Sequence, residues 1–144
     1  MGKILNLDKN VGCGLARNKG VKIAIGQYIS FLDADDIYLL EDLSFFNDLV
    51  SKTHSDLYLF RHKIKTDDEN ITLKFQNNNY ELFNIEFKQN PSLIKERPCW
   101  SIIYKKNYLL DNKIFFKRSH WEDIDFVLEA LCNSIKITNV NLDI

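Results

Sequence analysis

The sequence lacks the residues and segments that define several classes of protein. Its three cysteines are odd in number and show no CxxC spacing, so they predict neither a disulfide framework nor a zinc site. No run of residues approaches the ~20 apolar positions of a membrane span, and no signal peptide is visible. These absences together favour the reducing cytoplasm as the compartment.

The sequence also lacks a large net charge. A formal net charge of −1 excludes a broad electrostatic attraction to nucleic acid, so we expect no nucleic-acid partner. Two short basic pairs, Lys105–Lys106 and Lys117–Arg118, are most simply solvated charges, although they could contact an acidic acceptor or a membrane surface. With 45% hydrophobic and 27% charged residues, the 144-residue chain can bury one sizeable core.

An apolar segment that ends in three carboxylates is the most informative part of the chain. The run Tyr28–Leu32 predicts a strand, and Asp33, Asp35 and Asp36 follow it. Asp33 and Asp35 are two residues apart, so in an extended segment their side chains would share one face. Because Mg²⁺ is usually held by one or two carboxylates plus substrate phosphates, this pair predicts a site for Mg²⁺ or Mn²⁺.

The same acids have a simpler interpretation. Asp35 or Asp36 could only cap a following helix, since aspartate is a favoured N-cap residue. That helix is predicted from the helical spacing of Leu39, Leu40, Leu43, Phe46, Leu49 and Val50. Capping explains one aspartate, whereas three neighbouring carboxylates repel one another unless a cation or water intervenes. The arrangement therefore favours the cation site.

Two further helices are predicted. Asn10–Gly20 leads into Val21–Gly26, a predicted helix with Gly26 in the position just beyond its end. Glu122 and Asp123 lie in the first turn of another predicted helix, where negative charge is favoured. The apolar face of that helix is predicted at Ile124, Val127, Leu128 and Leu131. Helix electrostatics alone is thus an alternative role for Asp123.

The middle of the chain carries weaker signals. Asp56–Phe60 and Ile71–Phe75 predict strands on either side of a polar turn at 66–70. Residues 77–91 predict a polar connection that either faces the acceptor or is an ordinary surface loop. Surface or packing roles, rather than metal binding, are expected for His54 and His62.

These segments together resemble the central signature of family 2 glycosyltransferases. The residues that carry the resemblance are Asn10, Ala16–Arg17–Asn18, Gly20, Gly26–Gln27–Tyr28–Ile29 and Phe31–Leu32–Asp33–Ala34–Asp35–Asp36. A second part of the chain resembles the acceptor-side segment of many bacterial members of that family. Its residues are Trp100–Leu109, Ile114–Phe116 and His120–Phe126. The individual pieces are weak signals, but their joint order and spacing are highly specific.

The resemblance implies a fold. Family members have the GT-A fold, a Rossmann-like α/β sandwich, so we expect helices packed on a mostly parallel central sheet. Family members normally begin with a further strand and βα unit that grip the nucleotide base and ribose, and this chain starts after them. Residues 1–144 are therefore expected to form a single domain truncated at its N-terminus, with a donor part at 1–60 and an acceptor part at 61–144.

The resemblance also implies a reaction. Family members of this type transfer a sugar, with inversion, from a nucleotide sugar to an acceptor hydroxyl, and a UDP-sugar is the expected donor. Asp33 and Asp35 would hold the donor through Mg²⁺ or Mn²⁺, and Asp123 would be the catalytic base. Gly12 and Arg17 would face the nucleotide, although a helix start and a buried salt bridge explain these two residues as well.

The acceptor side is implied in less detail. Trp100, His120 and Glu122 would lie near a saccharide or glycolipid acceptor. The expected setting is bacterial surface polysaccharide or glycolipid synthesis, with peripheral association at the inner face of the membrane. One alternative is a non-catalytic fragment that keeps the fold. Another is a haloacid-dehalogenase-like phosphatase, which also places Asp-x-Asp after an apolar strand and would use Asp33 as nucleophile.

Overall fold

The described part of the chain contains both helices and short strands. This computed structural model describes residues 2–39, 44–65, 72–74, 81–95 and 97–144. The helices there are α1 (Cys13–Ile23), α2 (Ser44–Thr53), α3 (Lys106–Asp111) and α4 (Glu122–Asn133). The strands are β1 (Tyr28–Ser30), β2 (Leu57–Arg61), β3 (Lys63–Lys65), β4 (Thr72–Lys74), β5 (Leu82–Ile85), β6 (Ile102–Lys105) and β7 (Ile137–Asp143). Short 3-10 turns cover Phe87–Gln89, Pro91–Ile94 and Cys99–Ser101.

Five of these strands form one mixed sheet in the order β1, β6, β2, β7, β5. β6 pairs antiparallel with both β1 and β2, and β5 pairs antiparallel with β7. The β2–β7 pair is parallel. β3 and β4 form a separate two-stranded antiparallel sheet. The expectation of a mostly parallel sheet is therefore wrong, while the α/β class and the flanking helices are confirmed.

The direction of β6 accounts for this difference. β6 lies between β1 and β2, with Ile103 opposite both Ser30 and Tyr58. Because both neighbours are antiparallel to β6, β1 and β2 run in the same direction, and β7 runs with them. The carboxyl ends of β1, β2 and β7 consequently meet at one edge of the sheet. The acidic segment that follows β1 lies at that edge.

Alternation along β2 places apolar side chains on both faces of the sheet. Leu57 and Leu59 pack in one buried cluster, and Tyr58 and Phe60 pack in a second. Residues of α1, α3 and α4 join the first cluster, whereas α2 covers the second with Phe45, Phe46, Leu49 and Val50. Burial of each large apolar side chain contributes about 1.5–3 kcal/mol relative to exposure. The sheet thus gains its stability from helices on both faces.

The first predicted helix begins and ends earlier than expected, since α1 starts at Cys13. α1 ends at Ile23, and the N–H of its C-cap residue, Ala24, donates to the carbonyl of Gly20. Gly26 lies in the bend before β1 rather than just beyond the helix end, so its predicted capping position is wrong. Both predicted strands before residue 62 are observed, as β1 and β2, with ends shifted by one or two residues.

The helix that carries Asp123 buries a face that overlaps only in part with the predicted one, with Val127 and Leu131 buried as predicted. Its buried positions are Phe126, Val127, Ala130 and Leu131. Ile124 and Leu128 were expected in the core, but they are 49% and 37% exposed. The ring of Phe126 stacks on Phe116 with 3.9 Å between the ring centroids. This aromatic contact, which no local spacing reveals, sets the face that α4 buries.

Some predicted segments lie partly outside the described residues. These parts are Leu40 and Leu43 of the helix after the acids, the polar turn at 66–70, and residues 77–80 of the polar connection. Within the predicted strand at 71–75, the described residues form β4. Part of the predicted connection is the strand β5 rather than a loop, because it pairs with β7 at the sheet edge.

Candidate active site

Arg17 joins the two acidic segments of the chain through separate nitrogen atoms. It lies in α1, where its Nη2 donates to Asp33 Oδ1 and its Nη1 donates to Asp123 Oδ1, each at 2.6 Å. The Arg17 side chain is 15% exposed, against 35% for Asp33 and 40% for Asp123. Its Cζ also lies 5.3 Å from the centroid of the Phe116 ring. One guanidinium therefore connects the carboxylate after β1 to the first turn of α4.

The electrostatics of Arg17 follow from these contacts. Burial alone would lower its pKa, but the hydrogen bond with Asp33 and the negative charges of Asp123 and Asp33 raise the pKa above its usual value. A guanidinium is charged at any physiological pH and presents its donors in a rigid planar fork. The side chain is thus a permanent positive charge between the candidate donor site and the candidate base.

The three carboxylates lie in a tight turn rather than along an extended strand. The N–H of Asp36 donates to the carbonyl oxygen of Asp33 at 3.2 Å. The prediction that Asp33 and Asp35 share a strand face is therefore wrong. Residues 37–39 are not helical, so neither Asp35 nor Asp36 caps a helix that begins there, and the capping interpretation is also wrong.

Asp33 and Asp35, the predicted ligands of a divalent cation, both lie in this turn. Asp35 is exposed, and no hydrogen bond or ion pair joins its carboxylate to another described residue. Burial and the charges of Asp35 and Asp33 raise the pKa of Asp36, as expected where negative charge is not neutralised. In the described ranges, no three His, Cys, Asp or Glu side chains cluster closely enough to hold a metal by themselves. Because Mg²⁺ usually takes one or two carboxylates plus phosphate oxygens, Asp33 and Asp35 stay the predicted ligands.

Two glycines shape the start of α1. Gly12 has a φ of +85°, and nothing lies within 4 Å of where its Cβ would be. Glycine there serves the backbone turn, and its role toward a nucleotide stays a prediction. At Gly14, a Cβ would lie 2.9 Å from the Cβ of Phe116 and 3.3 Å from the Cγ of Glu122. The missing side chain at residue 14 lets α1 approach both later segments.

A cavity of about 390 Å³ opens beside the start of α1. Its walls include Gly12, Cys13, His120 and Glu122. Cys13 Sγ donates to Glu122 Oε1 at 2.7 Å, and this hydrogen bond raises the pKa of Cys13 and lowers that of Glu122. Two of the predicted acceptor-side residues, His120 and Glu122, thus line this cavity, whereas Asp123 is not among its lining residues.

The third predicted acceptor-side residue, Trp100, packs edge-on against His62. The ring centroids are 4.9 Å apart, and the ring planes meet at 80°. His62 is 4% exposed, which agrees with the packing role expected for it. Burial and the positive charge of Arg97 lower the pKa of His62. An acceptor contact of Trp100 stays a prediction.

Cys99 belongs to the site, although the sequence does not single it out. It is fully buried and lies within the electrostatic influence of Asp123. Burial raises the pKa of Cys99 to about 12, and the negative charge of Asp123 adds to this effect. The thiol therefore stays protonated. An isolated cysteine beside a tryptophan carries no sequence signal for this proximity to Asp123.

Asn18 is a second contributor whose task the sequence does not reveal. Its Nδ2 donates to the carbonyl of Phe116 at 2.8 Å, and the N–H of Phe116 donates to Asn18 Oδ1 at 2.9 Å. These two hydrogen bonds tie α1 to a segment 98 residues later in the chain. The only local hint is that asparagine, a poor helix former, lies inside a helix.

The fold and the site define a class of protein. A mixed five-stranded sheet with helices on both faces, an acidic turn after its edge strand and a second acidic segment in α4 match the GT-A glycosyltransferase fold. Residues 2–110 match the profile of the family described as Glycosyl transferase family 2. The chain belongs to glycosyltransferase family 2, as its resemblance implied.

Proteins of similar sequence are glycosyltransferases as well. The chain is 32% identical over 133 residues to the uncharacterized glycosyltransferase MJ1057 of Methanocaldococcus jannaschii, which covers 90% of this chain and 44% of that protein. It is 26% identical over 141 residues to the uncharacterized glycosyltransferase YibD of Escherichia coli, which covers 88% of this chain and 39% of that protein. The chain therefore spans less than half the length of these relatives.

Solved structures of S. aureus TarS share the fold. The structure of TarS 1–349 in complex with UDP-GlcNAc has a TM-score of 0.77 and 25% identity, and the match covers 96% of this chain and 39% of that one. The structure of TarS 1–349 has a TM-score of 0.74 and 26% identity, with 94% and 40% covered. Among the helices described in the present chain, none is long and apolar enough to cross a bilayer.

Proposed function

We propose that the protein transfers a sugar from a nucleotide sugar, a UDP-sugar, to an acceptor hydroxyl with inversion at the anomeric carbon. The observation that carries the proposal is the pair of 2.6 Å contacts from Arg17 to Asp33 and Asp123. They place the acid expected to hold the donor and the acid expected to activate the acceptor on either side of one cation. Family membership and the likeness to a TarS complex with UDP-GlcNAc support the donor class.

On the donor side, Asp33 and Asp35 would hold Mg²⁺ or Mn²⁺ together with the diphosphate. The cation, when bound, would neutralise charge that develops on the nucleotide leaving group. Arg17 orients Asp33 by occupying its Oδ1, and it adds a second positive charge beside the expected diphosphate position. Gly12 opens the start of α1, so that backbone amide groups there can approach the nucleotide.

On the acceptor side, Asp123 would take the proton of the acceptor hydroxyl as its oxygen attacks the anomeric carbon. The new carbon–oxygen bond forms on the face opposite the bond to the nucleoside diphosphate, which breaks, so one displacement inverts the centre. Asp123 is 40% exposed and can be reached from solvent. The contact from Arg17 orients its carboxylate.

The acceptor itself is proposed as a saccharide or glycolipid. His120 and Glu122 line the cavity beside α1, which offers room for an acceptor, and Trp100 completes the predicted acceptor side. The proposed setting is bacterial surface polysaccharide or glycolipid synthesis at the inner face of the membrane. Family membership leaves the phosphatase alternative without support, and Asp33, its required nucleophile, is ion-paired with Arg17.

Calorimetric titration with UDP in the presence of Mn²⁺ tests the donor site. Asp35→Asn should weaken Mn²⁺-dependent binding by about tenfold or more, since a neutral amide is a poorer ligand for a hard cation. Asp125→Asn is the matched control, because Asp125 is an exposed acid of α4 whose Oδ2 accepts a hydrogen bond from Ser119. Equal affinities for the two variants would overturn the donor assignment. Binding without any sugar transfer would favour the non-catalytic alternative.

A further inference from the structure

We propose that Asn18 is a positioning residue that sets the place of Asp123 relative to Arg17 and Asp33, by clamping the backbone of Phe116. This inference deepens the proposed function, since it concerns the residue proposed as the base. Asn18 touches neither acid. It acts through Phe116, whose position decides how α4 approaches α1.

The clamp uses both polar ends of the Asn18 amide. Nδ2 donates to the Phe116 carbonyl at 2.8 Å, and Oδ1 accepts from the Phe116 N–H at 2.9 Å. An amide side chain carries a donor and an acceptor side by side, so it can satisfy both backbone groups of one residue, as a neighbouring strand would. The segment around Phe116 is not part of a strand, and Asn18 replaces the missing pairing.

Phe116 contacts both Arg17 and the helix that carries Asp123. Its ring is 2% exposed and stacks on Phe126 at 3.9 Å, with the planes 10° apart. Phe126 lies one turn after Asp123 in α4. The same Phe116 ring also lies under the Arg17 guanidinium, 5.3 Å from Cζ. A displaced Phe116 would therefore shift the helix that carries Asp123 and remove support from the guanidinium that holds it.

A substitution at Gly14 disturbs the same contact between α1 and Phe116 by a different chemical change. A Cβ on residue 14 would meet the Phe116 Cβ at 2.9 Å, a distance that forces one of the two segments to move. Gly14→Ala leaves the Asn18 amide intact, whereas Asn18→Ala leaves the space at residue 14 intact. If Phe116 is the link, both variants should disturb Arg17 in the same way.

Asn112 offers the matched control. Its Nδ2 donates to the carbonyl of Tyr108 at 2.9 Å, which is a local contact at the end of α3 and away from Arg17. Asn112→Ala thus removes an amide with a comparable hydrogen bond. A side chain that only stabilises the fold would affect the site no more than Asn112 does.

The experiment measures hydrogen exchange of the Arg17 guanidinium protons by NMR in the full chain, together with the melting temperature of each variant. Asn18→Ala and Gly14→Ala should both speed this exchange by about tenfold or more through local opening of the ion pairs, while Asn112→Ala leaves it unchanged. Unchanged Arg17 exchange in Asn18→Ala, or equal acceleration in Asn112→Ala, would overturn the proposal. The UDP titration separates the two proposals, since equal Mn²⁺-dependent affinities of Asp35→Asn and Asp125→Asn would reject the donor assignment without changing the exchange result.

Discussion

Arg17 and its two carboxylate partners show what a single residue contributes to this site. The sequence predicts each of the three as a candidate, because all lie within segments that resemble the family signature. It does not predict that one guanidinium contacts both acids, since the partners are 16 and 106 residues away. Long-range pairing of this kind depends on the packing of α1 against α4, and the packing depends on Gly14 and Phe116.

The substitution Asp123→Asn tests whether Asp123 is the catalytic base or only a favourable charge at the N-terminus of α4, because the two roles predict different activities. If Asp123 only favours the N-terminus of α4, Asp123→Asn should retain most activity, because the charge contributes about 0.3–1 kcal/mol there. If Asp123 is the base, turnover should fall by roughly 10²-fold or more. We expect the second result, measured as sugar transfer at saturating donor and acceptor.

Two controls make that result specific. UDP and Mn²⁺ binding by Asp123→Asn should match the unaltered protein, because the proposed metal ligands are Asp33 and Asp35. Asp125→Asn, in the same turn of α4, should keep its turnover. Turnover of Asp123→Asn within a few-fold of the unaltered protein would reject Asp123 as the base and direct attention to Glu122.

At the scale of elements, α1 and α4 are predictable as helices but not in their contacts. Apolar spacing from Ile124 to Leu131, after Glu122 and Asp123, predicts a helix, and α4 confirms it. The buried face is set by Phe126 stacking on Phe116, a contact between residues brought together only by the fold. The turn that holds the carboxylates after β1 is also not predictable from the sequence. An apolar run followed by acidic residues does not show at which residue the extended backbone ends.

Two glycines of α1 allow a matched test of how closely this helix must approach its neighbours. Alanine is favoured over glycine inside a helix by about 1 kcal/mol. Gly20→Ala should therefore stabilise the protein by about 0.4–1 kcal/mol, because nothing lies within 4 Å of its Cβ position. Gly14→Ala should instead destabilise it by about 1–3 kcal/mol, because its Cβ would overlap with Phe116.

Urea unfolding of the two variants beside the unaltered protein measures both effects. Opposite signs would show that the contact of α1 with Phe116 outweighs helix propensity at residue 14. A stabilised Gly14→Ala variant would mean that the Phe116 segment can move aside at little cost. It would contradict a rigid packing contact between α1 and α4 through Phe116.

At the scale of the whole molecule, the α/β class is predictable and the direction of the strands is not. Strands that alternate with helices usually indicate a parallel sheet, but β6 is reached through a long connection and runs against both neighbours. No local sequence pattern predicts the direction of β6. The acidic segment after β1 still lies where a parallel sheet would place it, since β1, β2 and β7 have their carboxyl ends on the same side of the sheet.

The pH dependence of global stability is expected to carry a contribution from His62. Burial and the positive charge of Arg97 lower the pKa of His62 in the folded protein, and Asp143 opposes this only in part. In the unfolded chain histidine takes up a proton near pH 6.5. Between that value and the lower pKa of the folded state, the unfolded chain binds more protons, so lowering the pH from 7.5 to 5.5 should reduce the free energy of unfolding.

Urea unfolding at pH 7.5 and 5.5 tests this contribution with two histidine variants. His62→Gln removes the titrating group, so the difference in unfolding free energy between the two pH values should shrink. His54→Asn is the control, because His54 is exposed with a φ of 51°, a backbone conformation that asparagine tolerates. It should keep the full pH dependence. A pH dependence that is unchanged in His62→Gln would show that burial beside Arg97 and Trp100 does not hold this ring in its neutral form.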